Sequence, residues 1–284
     1  MRFQILGSSA GKTVPRPFCR CRVCEAARHD QGRDVRTRCA VHLYLDGDTD
    51  GEPRYAIDLS PDVSSHFIRY GFALDKLEHL IFSHAHADHL DTDLLTIRPT
   101  ILSEKNAAPH LHIYGSVSVG EKITALDLDK LDASFHQADP FVPFTAGELK
   151  ITPLLGNHGP GVVLNHIVQH GNQTVLLAWD TGYWTDDSWE RAADFTFDAV
   201  ISECTIFGPG DADHNARHMN FATLVDKKER LIKMGCITDS TPWTTLHIGD
   251  NGGLTYSEQV TLGAPHGVTP GYDGMWFAPL GIAK

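Results

Sequence analysis

The sequence predicts an α/β protein in four layers, two β-sheets packed face to face with helices on the outside. Three observations carry this. Short apolar strand-like runs come in two series, mainly joined by hairpin turns, and helix-like segments punctuate both. The 284 residues are enough for a well-buried core, and 42% hydrophobic against 21% charged residues is a globular balance. No internal repeat, low-complexity run or linker divides the chain, so one domain over residues 1–284 is expected.

Taken in order, "RFQIL", "CAVHLYL", "RYAIDL" and "LEHLIF" read as successive short strands. "GDTDGEP" is turn chemistry and predicts a hairpin between the second and third. In "SPDVSSHFIRYG", Ser60 or Asp62 is placed to cap a helix that presents Val63, Phe67 and Ile68. "LDTDLLTIRP" reads as a short helix that stops before Pro99, and "HLHIYGS" as a strand. "FVPFTAGELKITPLL" and "VVLNHIVQHGNQTVLLAWD" predict hairpins turning at Gly147 and at Gly171-Asn172. "FDAVISE" is a further strand. "NFATLVDKKERLIKMG" predicts a helix capped by Asn220, with Leu224, Leu231 and Met234 on one face and Gly235 ending it. "TTLHIG" and "GMWFA" close the series as strands.

Charge and cysteine usage narrow the function classes. Lys and Arg total 24 against 36 Asp and Glu, a formal net charge of −12. Such a surface repels nucleic-acid backbones and anionic membranes, while a small anionic substrate is admitted if cations line its cleft. No apolar run approaches the roughly 20 residues of a membrane-spanning helix. The start, "MRFQILGSSAGK", reads as a strand and a Gly/Ser loop rather than a secretory signal, so a cytoplasmic location is expected. Three of six cysteines crowd into "CRCRVC", which favours a metal site over a disulfide framework. Cys39, Cys204 and Cys236 lie in apolar contexts and read as core.

The densest chemistry is "IFSHAHADHLD", with His84, His86, Asp88 and His89 directly after an apolar strand. Imidazole nitrogen and carboxylate oxygen suit Zn²⁺, Mn²⁺ or Fe²⁺. His84 and His86, two apart, can converge on one ion, and Asp88 and His89 follow in a turn that can face a second. This pattern resembles the signature of the metallo-β-lactamase superfamily, and the resemblance extends to "GNHG", "AWDTG" and "TLHIGDNG" in the family's order. It implies the αββα sandwich and a dinuclear site of two divalent ions. By that resemblance His84, His86 and His158 hold one ion, Asp88, His89 and His247 the other, and Asp180 bridges.

Within the superfamily, "LGSSAG" followed by "CRCRVC", the "HLDTDLLTIRP" segment and the ending "GYDGMWF" resemble the PhnP-like group of phosphoribosyl cyclic phosphodiesterases. The first segment and "SPDV" also resemble the PqqB group, whose pattern lacks the complete histidine signature. The resemblance implies hydrolysis of a small, cyclic phosphodiester, with Asp88 and His218 catalytic and His218, in "ARHMNF", protonating the leaving group. His214 is the substitute if the loop register differs. A homodimer is implied by resemblance alone.

Cys19, Cys21 and Cys24 put three thiolates in a short loop at about residues 17–26, as a structural zinc needs. In the PhnP-like group a histidine three residues after the His247 position completes that site. Asp250 stands there, a harder ligand, and His29, His42 and His266 remain further candidates. "GPGDAD" (208–213) reads as a mobile loop over the site. "LGSSAGK" lacks phosphate-loop spacing and is discarded as one. Two other chemistries stay open at the same centre: lactone or thioester hydrolysis, and a PqqB-like oxygenase with iron in place of zinc.

Overall fold

The computed structural model describes residues 1–99 and 108–279. Two seven-stranded sheets face each other. The first holds β1 (Arg2–Gly7), β2 (Ala40–Tyr44), β3 (Tyr55–Ile57), β4 (His79–Ile81), β5 (Leu111–Gly115), β6 (Ala133–Gln137) and β14 (Trp276–Phe277), in the order β14-β1-β2-β3-β4-β5-β6. The second holds β7 (Phe144–Ala146), β8 (Leu149–Leu155), β9 (Leu164–His170), β10 (Gln173–Ala178), β11 (Ala199–Glu203), β12 (Trp243–Leu246) and β13 (Thr269–Pro270), in the order β13-β12-β11-β10-β9-β8-β7.

The three hairpins form as predicted: β2 to β3, β7 to β8, and β9 to β10 are antiparallel. Gly147 and Gly171 turn two of them at φ +56, a conformation that suits glycine. The expectation of mainly hairpin-linked strands is corrected in half of each sheet. β3-β4-β5-β6 and β10-β11-β12-β13 pair in parallel. A parallel neighbour requires a crossover, and helices supply it. These are α2 (Val63–Tyr70) between β3 and β4, α3 (Val117–Ile123) and α4 (Leu128–Leu131) before β6, and α5 (Asp186–Ala192), α6 (Phe221–Lys233) and α7 (Tyr256–Gly263) in the second half.

Local departures have local causes. Asp62 occupies the N-cap of α2 without capping it, because its carboxylate holds the Arg38 backbone N, Nε and Nη2, each at 2.8 Å. Ile68 on that helix is 89% exposed; His66 takes the buried position and meets Thr37 Oγ1 at 2.7 Å. The "LDTDLLTIRP" segment forms a 3-10 turn at Leu95–Ile97, and the chain stays helical through Arg98 and Pro99 rather than stopping. Proline is tolerated at a helix start, where its missing N–H has no partner to lose. The second half of the cysteine segment is not a loop: α1 (Arg22–Asp30) carries Cys24. By contrast α6 follows its prediction, with Asn220 accepting from Thr223 N at 2.8 Å and Leu224 and Leu231 buried.

One apolar cluster fills the space between the sheets, with Phe3, Ile5, Leu43, Ile57, Ile151, Val168, Leu177 and Trp179. Two others lie between each sheet and its helices. "LGSSAG" and "GYDGMWF" meet in space. Asp273 accepts from Ser8 N and Oγ at 2.8 and 2.7 Å and from Thr37 N and Oγ1, and the buried Arg36 bridges Ser8 Oγ, Gly271 O and Gln259. Among the described residues no helix is long and apolar enough to cross a membrane.

Candidate metal centre

The centre gathers where strands of both sheets end. β4 runs out at Ile81, and the following turn closes when His86 O accepts from His89 N and Leu90 N at 3.1 and 2.9 Å. Asp91 N and Leu59 O, 2.8 Å apart, pin that turn to the end of β3. His158 follows β8, Asp180 follows β10 and His247 follows β12. Asp58, Asp180 and His247 take left-handed backbone conformations at φ 61, 53 and 55. Asp and His tolerate that region better than most residues, and such strain concentrates at functional sites.

All seven residues read as ligands come together. His84, His86, His158 and Asp180 form one group, and Asp88, His89, Asp180 and His247 a second; donor atoms within each lie within 4.8 Å of one another. Asp180 belongs to both. Its Oδ2 lies 2.9 Å from His84 Nε2 and 3.3 Å from His89 Nε2; its Oδ1 lies 3.3 Å from His158 Nδ1 and 3.7 Å from His247 Nε2. Yet His84 Nε2, His89 Nε2, His247 Nε2 and Asp180 Oδ1 are buried without a hydrogen bond. Donor atoms this close that do not bond one another aim at shared points between them. That geometry, with a nitrogen and oxygen donor set, fits divalent transition-metal ions.

The rings are oriented from behind. Asp58 Oδ2 meets His89 Nδ1 at 2.7 Å and accepts from Trp179 Nε1 at 2.9 Å, while Ser83 N donates to Oδ1 at 2.8 Å. Ser83 Oγ lies 3.0 Å from His84 Nδ1, and Thr205 Oγ1 lies 2.8 Å from His247 Nδ1 and 2.6 Å from Glu203 Oε2. These contacts leave the Nε2 atoms facing inward. Burial lowers His84 to about 4, which keeps it neutral as a ligand must be. Burial opposes ionisation of Asp58, but the neighbouring His89 and the hydrogen bonds from His89, Ser83 and Trp179 hold the carboxyl below its usual range.

His218 also reaches this centre, from the loop before α6. Its Nδ1 lies 3.3 Å from Asp180 Oδ1 and 3.5 Å from Glu203 Oε1, and its ring stacks on His247 at 5.3 Å. Burial lowers its pKa, but Glu203, Asp180 and Asp88 raise it by more, so the net shift is upward. His214 does not substitute: it stacks on Tyr183 and pairs with Asp226 at 2.8 Å. None of residues 208–213 lines the cleft at the centre either. Asn220 Nδ2 donates to Asp211 O and Thr223 Oγ1 accepts from Asp213 N, which ties that segment to the start of α6.

The ligand cluster opens into a cleft of about 300 Å³ lined by His86, Asp88, His158, His218 and His247 and, from the N-terminal loop, by Lys12 and Arg16. Gly11 also lines it, and a Cβ there would lie 3.0 Å from Asp88 Oδ2. "LGSSAGK" is thus no phosphate loop but does place a cation at the cleft. Sequence reasoning missed Asp58, Glu203, Lys12 and Arg16. A usable signal for the first two was present: "YAID" and "VISE", like "LAWD", are apolar strands that end in a carboxylate.

A second cluster lies beside the cleft. Asp250 Oδ2 stands 3.6, 3.5 and 3.5 Å from the sulfurs of Cys19, Cys21 and Cys24. With Zn–S about 2.3 Å and Zn–O about 2.0 Å, a tetrahedron has an S···O edge of about 3.5 Å. The four side chains therefore fit a four-coordinate ion, with Asp250 in the fourth place. His29 instead pairs with exposed Asp30, His42 packs on Phe72, and His266 lies against Phe221. Arg16 pairs with Asp250 and donates to Asn251 Oδ1 at 2.5 Å, which links this cluster to the cleft wall.

Residues 54–233 match the family model described as the beta-lactamase superfamily domain. The chain belongs to the metallo-β-lactamase superfamily. No curated protein matches the sequence. Among solved structures, a diphosphatase from the PhnP family is 20% identical with a TM-score of 0.73, covering 98% of this chain and 97% of that one. Zinc-bound PqqB from Methylobacterium extorquens is 16% identical with a TM-score of 0.71, covering 98% and 100%. The metallo-β-lactamase fold protein YhfI from Bacillus subtilis is 19% identical with a TM-score of 0.68, covering 97% and 98%. At these identities the likeness establishes the superfamily's sandwich fold, and the His/Asp cluster sits within it as a metal-site cluster.

Proposed function

We propose that this superfamily member is a dinuclear metal-dependent phosphodiesterase that hydrolyses a small cyclic phosphodiester. The observation that supports this most is His218: it stands on the cleft wall beside the ligand cluster, with Nδ1 turned to Glu203 and Asp180 and Nε2 as its open nitrogen. Ions held by His84, His86, His158, Asp88, His89, His247 and a shared Asp180 would supply Lewis acidity and a water ionised near neutral pH. Zinc and manganese suit these donors, and iron is compatible with them.

The chain's own residues do the rest. Lys12 and Arg16 draw an anion into the cleft of an acidic protein. Asp88, beside Gly11, orients the attacking water. Glu203 raises the His218 pKa, and the protonated His218 passes its Nε2 proton to the departing alkoxide, a transfer worth about 10²–10⁴ in rate. The Cys19, Cys21, Cys24 and Asp250 cluster would hold a structural zinc, fixing the loop bearing Lys12 and Arg16.

The test is metal analysis followed by an assay panel of bis-nitrophenyl phosphate, cyclic ribose phosphates, 2′,3′-cyclic nucleotides, lactones and thioesters. Zinc or manganese with turnover of the cyclic phosphates supports the reading. Turnover of lactones or thioesters alone, or bound iron with oxygen uptake, would overturn it.

A further inference from the structure

The first sheet has a second histidine-rich place, toward its β6 edge. β4 begins with His79 and is followed at its other end by His84. Across the sheet from His79 stand His112 on β5 and, diagonally, His136 on the edge strand β6. His112 Nδ1 and His136 Nε2 are 3.0 Å apart, with ring centroids 5.2 Å apart. Within the catalytic cluster the corresponding ring spacings are 4.4 Å for His84 and His86 and 5.1 Å for His86 and His158.

We propose that His112 and His136 form a separate metal site, a cross-strand pair of imidazoles that takes one divalent ion of the Cu(II) or Ni(II) class. The spacing selects the ion. With metal–nitrogen bonds of about 2.0–2.1 Å, tetrahedral ligands lie about 3.3–3.4 Å apart, whereas ligands 90° apart lie about 2.8–3.0 Å apart. The 3.0 Å separation, spanned by a hydrogen bond between the rings when no ion is held, matches the right-angled bite that square-planar Cu(II) and Ni(II) favour, and Cu(II) heads the affinity order for nitrogen donors. His136 is exposed, so water completes the coordination. Partial burial and the neighbouring His112 and His110 lower the His136 pKa.

The flanking histidines do not join. His110 has both nitrogens engaged, Nδ1 with Asp132 at 2.6 Å and Nε2 with Ser134 Oγ at 2.8 Å. His79 is buried behind the pair, with Nδ1 3.3 Å from Tyr114 OH. The alternative for the pair is a plain N–H···N hydrogen bond that binds nothing.

The zinc-loaded full chain, titrated with Cu(II) and followed by electron paramagnetic resonance, separates these. A bound copper with a two-nitrogen signature is expected in the wild type and in His110→Gln, and is lost in both His112→Gln and His136→Gln. Zinc content, circular dichroism and hydrolytic turnover stay unchanged in all three. Copper retained after either substitution of the pair, or no copper bound by the wild type beyond zinc displacement, would sink the proposal. Neither result depends on which substrate the catalytic centre hydrolyses.

Discussion

His218 and Glu203 carry a divided task at the residue scale: Glu203 touches the imidazole nitrogen that faces inward, and the cleft receives the other. Replacing His218 with alanine removes no atom of the two ligand groups, so metal content should hold. Turnover of substrates with poor leaving groups should fall about 10²–10⁴-fold, while nitrophenyl esters, whose leaving group needs no proton, lose far less. Steady-state kinetics on both substrate types checks this; equal losses would remove the proton-transfer role. Lys227 is a different residue-scale case. It is fully buried over the Trp184 ring at 3.6 Å, its Nζ has no hydrogen bond, and burial lowers it to about 7 despite Glu203. Its depressed folded value means the unfolded chain binds more protons between about pH 7 and pH 10, so stability rises with pH there. Lys227→Met should stabilise the protein by about 1–4 kcal/mol at pH 7 and flatten that rise, as urea melts at pH 7 and pH 9 would record. His84, His86, Asp88 and His89 were legible in the sequence because histidines and carboxylates crowded directly after an apolar strand gain little from packing and much from a shared ion, whereas the isolated His158, Asp180 and His247 were legible only through the family resemblance. Lys12 and Arg16 were not, because a cation after a Gly/Ser loop or between two prolines looks like surface until the fold turns it inward.

Among the elements, the cysteine cluster ties two separate pieces of chain. Cys24 rides on α1, Cys19 and Cys21 precede it, and Asp250 opens the 3-10 turn (Asp250–Gly252) that follows His247. Cys24→Ser should therefore release one zinc per chain on dialysis and lower the melting temperature. Catalytic turnover should drop with it, because Arg16 loses the fixed Asp250 that anchors it. Atomic absorption and a thermal melt measure both effects; full zinc retention in the variant would count against a cysteine-bound ion. At this scale the hairpins were readable, since Gly147 and Gly171-Asn172 announce them. The parallel halves were not: β6 reads "ASFHQ", too polar to stand out, and α1 hides inside a motif whose cysteines suggested a loop. Crossover helices such as α3 and α5 are only seven residues long, too short for a clear 3.6-residue period.

For the whole molecule, buried imidazoles set a limit on acid tolerance. His42 is lowered to about 3, and His66 and His166 to about 4, all chiefly by burial. These groups stay neutral when folded, while the unfolded chain protonates them below about pH 6.5, so stability is lost as pH falls through that range. His42→Phe, beside Phe72, should lose about 2 kcal/mol less than the wild type between pH 7.5 and pH 5, since each pKa unit is worth about 1.4 kcal/mol. Urea midpoints across that interval test it, and parallel losses in both proteins would contradict it. The two-sheet architecture was legible at this scale from the strand inventory together with the family resemblance. Its division into matching antiparallel and parallel halves emerged only with the pairing.

Phe3 aligns with Phe277 on adjacent antiparallel strands. The head and tail of the described chain are therefore neighbours, and the order of strands around the sandwich does not depend on where the polypeptide is opened. A circular permutant joined across that junction and cut at Gly171-Asn172, far from the ions' ligands, should reassemble the same scaffold from two rearranged halves.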